Sequence, residues 1–364
     1  MPIVPPYVET LMPYVPGKPI EEVEREYGIS NVAKLASNEN ALGPSPRALA
    51  AVREAAAGAH LYPDGSAYHL RNALAGKLGV KPEEVFVANG SNEIIDLLVE
   101  TFVLPGEEVL TSARTFIAYK LAAQKLGRTF VEAPMKDGYW YDLDAIRQKL
   151  SPRTKLVFLA NPDNPTGTWF LEKELVRFLD AVPPGVLVAL DEAYVEYVDA
   201  AGYQDSMALR RRYPNLVVIR TFSKIYGLAG FRLGYAIARP EIGGYVERVR
   251  MPFNTSLVAQ AAGVAALGDA EHVQRGRALV QAERPFLSEG LAALGATVVP
   301  SQGNFVLADF PGRPGKELFE ALLRLGVVVR PVGGYGFPTA QRITVGTHAE
   351  NEKCLAALRK ALGK

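Results

Sequence analysis

The sequence predicts an α/β fold in which a large domain, with a mostly parallel sheet covered by helices on both faces, is followed by a smaller α+β domain. Two observations carry this. Short, uniformly apolar β-branched runs alternate with helical patterns through the middle of the chain, and after about residue 240 long helices with a few separate strands take over. The runs are Val85–Ala88, Lys155–Leu159, Val186–Leu190 and Leu216–Ile219. Being continuous rather than alternating, they suit strands buried on both faces. Between them, Asn92–Phe102, Thr115–Leu126 and Glu172–Leu179 place apolar residues at helical spacing and supply the crossovers. Further on, helices are expected at Ser256–Leu267, Glu271–Leu294, Leu318–Leu325 and the chain end, with strands at Phe305–Leu307, Val327–Val329 and Arg342–Val345. The expected division is an N-terminal arm or small-domain segment at 1–35, a large domain at 36–250 and a small C-terminal domain at 251–364.

Composition narrows the partners. The 364 residues are 48% hydrophobic and carry 40 Lys and Arg against 39 Asp and Glu, a formal charge of +1. Nothing global favours nucleic acid or an anionic membrane, so an anion site has to be local. The stretches Met251–Gly268 and Gly290–Ala308 are broken by Asn, Ser, Gln or Pro, so no membrane span is expected. Met1–Pro6 lacks the pattern of a signal peptide, and the single cysteine, Cys354, suits a reducing cytoplasm. The four histidines show no ligand spacing, so no metal is expected. Gly227–Gly234 has the wrong spacing for a dinucleotide fingerprint, Gly312–Lys316 is not a Walker loop, and no Gly-x-Ser-x-Gly elbow occurs.

Four motifs at strand ends remain. Thr221-Phe222-Ser223-Lys224 and Arg232 follow the strand at 216–219; the lysine is suited to a Schiff base with an aldehyde, and Thr221, Ser223 and Arg232 to a phosphate. Alone, they would read as a solvated loop. Asp191-Glu192-Ala193-Tyr194 ends another apolar strand, where a buried Asp needs a cation and the protonated pyridine nitrogen of pyridoxal phosphate is one; a helix N-cap is the plain alternative. Asn161-Pro162-Asp163-Asn164-Pro165-Thr166-Gly167 is at least a turn. The amide of Asn164 and the hydroxyl of Tyr194 are suited to donate to the phenolic oxygen of such a cofactor and lower its imine pKa. Gly90-Ser91-Asn92 lies between a strand and a helix, where backbone N–H groups favour phosphate.

With Leu35–Asn40, Tyr62–Gly65, Asn89–Glu93, Asn161–Gly167, Asp191–Tyr194, Ser223–Gly234 and Arg342–Thr347 in view, nearly the whole chain resembles the pyridoxal-phosphate-dependent aminotransferases of the aspartate aminotransferase fold, fold type I. Within them it is most similar to members acting on histidinol phosphate. The resemblance implies pyridoxal 5'-phosphate as cofactor, small amine and 2-oxo acid substrates, and ping-pong transfer from histidinol phosphate to 2-oxoglutarate in histidine biosynthesis. It makes Lys224 the Schiff-base lysine and acid–base catalyst, Asp191 the pyridine-nitrogen partner, and Asn164 with Tyr194 the phenolic-oxygen ligands. Phosphate falls to Ser91, Asn92, Ser223 and Arg232. Phe116 would stack on the ring, and Tyr62 would reach the phosphate of a neighbouring subunit, which implies a homodimer. Arg342, Arg330, Asn40 and Tyr14 become substrate-side residues. Three positions depart from the usual pattern: Arg114 stands where relatives have Pro, Phe116 where most have Tyr, and Asn92 where many have Asp. An aromatic amino-acid aminotransferase, a decarboxylase of a phosphorylated amino acid and a non-catalytic cofactor-binding regulatory module are the competing readings.

Overall fold

A computed structural model describes residues 3–11 and 17–364. In chain order the strands are β1 (Ala33–Lys34), β2 (Val85–Ala88), β3 (Glu108–Ser112), β4 (Thr129–Ala133), β5 (Thr154–Ala160), β6 (Leu187–Asp191) and β7 (Leu216–Thr221). They continue with β8 (Gly234–Ile237), β9 (Thr297–Val299), β10 (Phe305–Asp309), β11 (Val327–Val328), β12 (Arg330–Pro331) and β13 (Ala340–Thr344). The main sheet has the order β2-β8-β7-β6-β5-β3-β4, and only β8 runs against its neighbours. The mostly parallel sheet expected from the apolar runs is therefore present. A second sheet, β12-β13-β10-β9, is antiparallel throughout.

Register positions the chemistry. Ala160 at the end of β5 is paired with Asp191 at the end of β6, and Asp191 with Ile219 near the end of β7. The three segments that follow, Asn161–Asn164, Glu192–Tyr194 and Phe222–Lys224, consequently leave the sheet along one edge, the carboxyl edge where open parallel sheets hold ligands.

Several elements differ from their sequence reading. The helix expected from Thr115 starts at Ile117, because Arg114 takes a left-handed turn (φ 58°) and Phe116 stays extended at the N-cap. The strand expected over Val327–Val329 is divided: Val327–Val328 pairs in parallel with β1, and Arg330–Pro331 with β13. β1, β3, β4, β8 and β9 fall outside the expected set. β3 illustrates why, since its hydroxyls and Glu108 interrupt the apolar signal although all five residues are buried; Glu108 is held by Arg153 at 2.6 Å, and Thr111 donates to Phe158 O at 2.7 Å. The long helix Ala270–Ala293 runs through Pro285.

The N-terminal segment is tied to the C-terminal third. Helix Ile20–Tyr27 buries Val23 with Leu323 and Val328, ends at Gly28 (φ 64°) and leads into the β1–β11 pair. Helix Leu257–Leu267, beyond residue 250, packs on helices Pro46–Ala55 and Tyr68–Leu78.

Beneath the carboxyl edge lies a buried ion pair. Glu192, fully enclosed, accepts from Arg220 Nη2 at 2.8 Å and Nε at 3.0 Å, from Gln204 Nε2 at 2.8 Å and from Ser206 Oγ at 2.9 Å. Burial, the largest single effect, pulls Arg220 down, but Glu192 by its charge and hydrogen bond, with Tyr235 and Glu196, together outweigh it and hold the guanidinium above its ordinary range. Arg220→Met leaves that carboxylate buried without its cation and is expected to cost about 3–5 kcal/mol, read as a lower urea midpoint.

Candidate active site

The carboxyl edge of the main sheet and the face of the smaller sheet enclose a cavity of about 290 Å³. Ser91, Asn92, Phe116, Asn164, Asp191, Tyr194, Thr221, Ser223, Lys224, Arg232, Arg330 and Arg342, all singled out in the sequence, line it. One compartment thus holds the lysine, the carboxylate, the amide–phenol pair and the arginines.

Lys224 Nζ donates to Ser37 O at 3.0 Å, and its pKa is lowered to about 7. Burial is the main cause, and the positive charges of Arg342 and Arg232 add to it against Glu39 and Asp191. A lysine so placed is an amine nucleophile and base near neutrality. Asp191 is only 4% exposed; its Oδ2 accepts from Tyr119 OH at 2.9 Å and its Oδ1 from Ala193 N at 3.1 Å. Burial raises it to about 6 because those two donors do not offset the lost water. Among the described residues it makes no ion pair, so a buried carboxylate on the cavity wall stands ready for a cationic N–H.

Two further groups have settled hydrogen-bond directions. Arg342 donates through Nη1 to Asn164 Oδ1 and through Nη2 to Ala36 O, both at 2.6 Å, which leaves the Asn164 amide nitrogen as the donor end. The second arginine, Arg330, is the direct cross-strand partner of Arg342, so β12 and β13 set two guanidinium groups side by side at the cavity. Like charges directly opposite on a sheet are unfavourable unless an anion lies between or above them.

At the other end of the cavity, helix Ser91–Phe102 opens with Ser91 and Asn92. Gly90 (φ 84°) does not line the cavity itself but makes room there: a Cβ at this position would lie 2.6 Å from Arg232 Nη2. Arg232 is itself left-handed (φ 54°) and donates to Ala229 O at 3.0 Å. A helix start, an arginine and the Ser223 and Thr221 hydroxyls thus share this wall, a set of groups whose chemistry suits an anion.

Tyr62 is outside the cavity, 83% exposed and stacked on Phe253 at 4.8 Å. Asn40 is also absent from the cavity wall; its amide donates to Ile225 O at 2.7 Å and so supports the chain directly after Lys224. Tyr14 lies outside the described residues. Wall residues the motifs did not single out include Asn38, Tyr119 and Tyr335. Asp163, beside Asn164, receives the Thr115 and Thr166 hydroxyls and so ties the loop after β5 to the turn that carries Phe116. Its place in the Asn161–Gly167 motif was the available signal. Tyr119 offered little, since a tyrosine at helical spacing reads as core packing, and it does stack on Phe158 at 4.6 Å.

Residues 30–358 match the family model for aminotransferase class I and II. Over 363 residues, and the full length of both chains, the protein is 76% identical to a histidinol-phosphate aminotransferase of Anaeromyxobacter sp.. It is 48% identical to that of Moorella thermoacetica, over 97% of this chain and 91% of the relative. Its structure matches the histidinol-phosphate aminotransferase of Sinorhizobium meliloti in complex with pyridoxal-5'-phosphate with a TM-score of 0.91 and 30% identity, over 100% of this chain and 98% of that one.

The lysine environment gives a direct test. Reductive methylation of the ligand-free protein, followed by peptide mass analysis, should modify Lys224 with a midpoint near pH 7. Exposed lysines should follow with midpoints of about 10; a Lys224 midpoint among theirs would contradict the burial argument.

Proposed function

The chain belongs to the class I and II aminotransferases, and from that premise we propose that it transfers the amino group of histidinol phosphate to 2-oxoglutarate, giving imidazole-acetol phosphate and glutamate, with pyridoxal phosphate as cofactor. The observation that carries this reading is the placing of Lys224 and Asp191 on one cavity whose remaining walls offer an anion cradle and a pair of opposed arginines. The residues fit the group: Asp191 supplies a buried anion for the ring nitrogen, and the cradle a place for the phosphate.

When bound, pyridoxal phosphate supplies an aldehyde that captures amines and a ring that accepts the electron pair released at the substrate carbon. Thr221, Ser223, Ser91, Asn92 and Arg232 would hold its phosphate. Asp191 would keep the ring nitrogen protonated, and that cation would return the carboxylate to its ionised state. Asn164 and Tyr194 would donate to the phenolic oxygen, with Phe116 against the ring face. Lys224 Nζ, neutral in a large share of molecules near pH 7, would take the proton from the substrate carbon and pass it to the former aldehyde carbon of the cofactor, and would carry it the opposite way in the second half-reaction. Arg342 and Arg330 would take the substrate phosphate in one half-reaction and a carboxylate of 2-oxoglutarate in the other. Opposed guanidinium groups suit a doubly charged phosphate better than the single carboxylate of an aromatic amino acid, which ranks that alternative second.

A homodimer belongs to the same proposal. Tyr62, Met251 (71% exposed) and Leu61 (65%) form, with Phe253, an uncovered apolar surface beside the Arg250–Gly65 contact. An exposed patch of this kind marks an association surface. We also place the enzyme in the cytoplasm, where a lone thiol such as Cys354, pushed up to about 12 by burial, stays reduced.

Adding histidinol phosphate to the cofactor-loaded protein should discharge its visible band, and 2-oxoglutarate should restore it. Lys224→Ala should show neither response, and kcat/KM should favour histidinol phosphate over phenylalanine by at least about 10²-fold. For the dimer, Tyr62→Ala and Lys224→Ala are each expected to be weak or inactive. Equal mixing after unfolding and refolding should restore about a quarter of wild-type activity, because half the dimers then carry one intact site. No restoration would remove the trans role of Tyr62.

A further inference from the structure

Asn38 is a cavity-wall residue that the proposed chemistry leaves without a task. It is fully buried, held in a left-handed conformation (φ 55°), and its carbonyl accepts from Asn304 Nδ2 at 3.0 Å. Its polar groups form a closed circuit with Thr344 of β13. The Asn38 backbone N–H donates to Thr344 Oγ1 at 2.9 Å, and Thr344 Oγ1 donates to Asn38 Oδ1 at 3.2 Å. A hydroxyl has one proton, and here it is committed to Oδ1. In this arrangement Oδ1 faces the threonine and Nδ2 faces Tyr194, donating to its phenolic oxygen at 2.9 Å.

The consequence falls on Tyr194. Its oxygen is already accepting, so its own proton is available for a different acceptor, and Tyr194 lines the cavity. Resting on the cofactor reading above, we propose that Asn38, locked by Thr344, is a positioning residue that directs the Tyr194 hydroxyl as a donor to the phenolic oxygen of bound pyridoxal phosphate. Packing supports the same task. The Tyr194 ring meets Phe305 edge-on at 5.0 Å, so ring and hydroxyl are held from two sides. Burial raises Tyr194 to about 12, while Arg342 and the Asn38 amide draw it down, which makes the phenol a stronger donor than burial alone would leave it. Among the described residues the charged and titratable groups that face Tyr194 are Arg342 from β13, Asp191 from the end of β6, Tyr335 from the 333–335 turn and Lys224 over its ring, and Asn38 is an uncharged amide beside them. An Asn38 substitution therefore changes the direction of the phenol proton and leaves those charges in place.

The test is a pH titration of the visible band of the cofactor-loaded protein. A donor on the phenolic oxygen stabilises its ionised form and lowers the midpoint. Asn38→Ala should raise it by about half to one pH unit, the worth of one weakened hydrogen bond. Tyr194→Phe should raise it further, and Asn38→Ala added to Tyr194→Phe should have no additional effect, since the hydroxyl through which Asn38 is proposed to act has been removed. An unchanged midpoint in Asn38→Ala, or an equal shift in both backgrounds, overturns the proposal. Should Asn38→Ala fail to fold, Thr344→Val, which unlocks the amide, carries the same expectations. A wild-type protein without a titrating band ends the cofactor reading itself, whereas a wild-type band that titrates and is indifferent to Asn38→Ala ends only the role of Asn38.

Discussion

A carboxylate buried at the end of β6, with no cation against it among the described residues, is the constraint around which the site is arranged. Asp191 receives only the Tyr119 hydroxyl and one backbone N–H, and the loss of water outweighs both. Left alone, such a group is a cost to the fold. In the proposed function a protonated ring nitrogen beside it would turn that cost into attraction, and part of the stability of the loaded protein would then be borne by the ligand. The adjacent Glu192 shows the structural solution to the same problem: it is enclosed just as completely but supplied with its own arginine. Neighbouring carboxylates at one strand end thus differ: Glu192 is satisfied from within, and Asp191, in the proposed function, from outside.

Positive charge is concentrated in the same way. Arg342 and Arg330 meet across β12 and β13, Arg232 lies over the start of the helix at Ser91, and all three border the cavity although the chain as a whole is almost neutral. The charges of Arg342 and Arg232 act on Lys224, already short of water, and bring its amine into the range where it can both hold and release a proton near pH 7. Anion binding and lysine activation therefore come from one arrangement. The smaller sheet is indispensable to it, because Arg342 reaches across to Asn164 and Ala36 and fastens the loop after β5 to the N-terminal segment.

The strand-end motifs are legible because each joins an unbroken apolar run to polar residues, and although any one alone has a structural reading as loop, cap or turn, four at successive strand ends converge on one chemistry. Lys224, Asp191, Asn164 and Ser91 were found in this way, and the mostly parallel sheet followed from the same runs. β3 escaped notice because its polar residues are satisfied by partners far away in sequence, Glu108 by Arg153 and Thr111 by the β5 backbone. Asn38 was inside a recognisable block but its meaning depends on Thr344, 306 residues later. Tyr62 and Asn40 belong to equally recognisable blocks; Tyr62 lies on the surface, open to a neighbouring molecule, and Asn40 supports the backbone after Lys224.

What the sequence by itself determined is the set of reactive groups and the strands that present them, since apolar continuity and strand-end chemistry are local properties of the chain. What only the tertiary structure decided is the state of those groups: which carboxylate has an arginine and which does not, how far the lysine is lowered, and which way each amide and hydroxyl points. Those depend on water excluded and charges brought close by residues distant in sequence, and both are properties of the packed molecule.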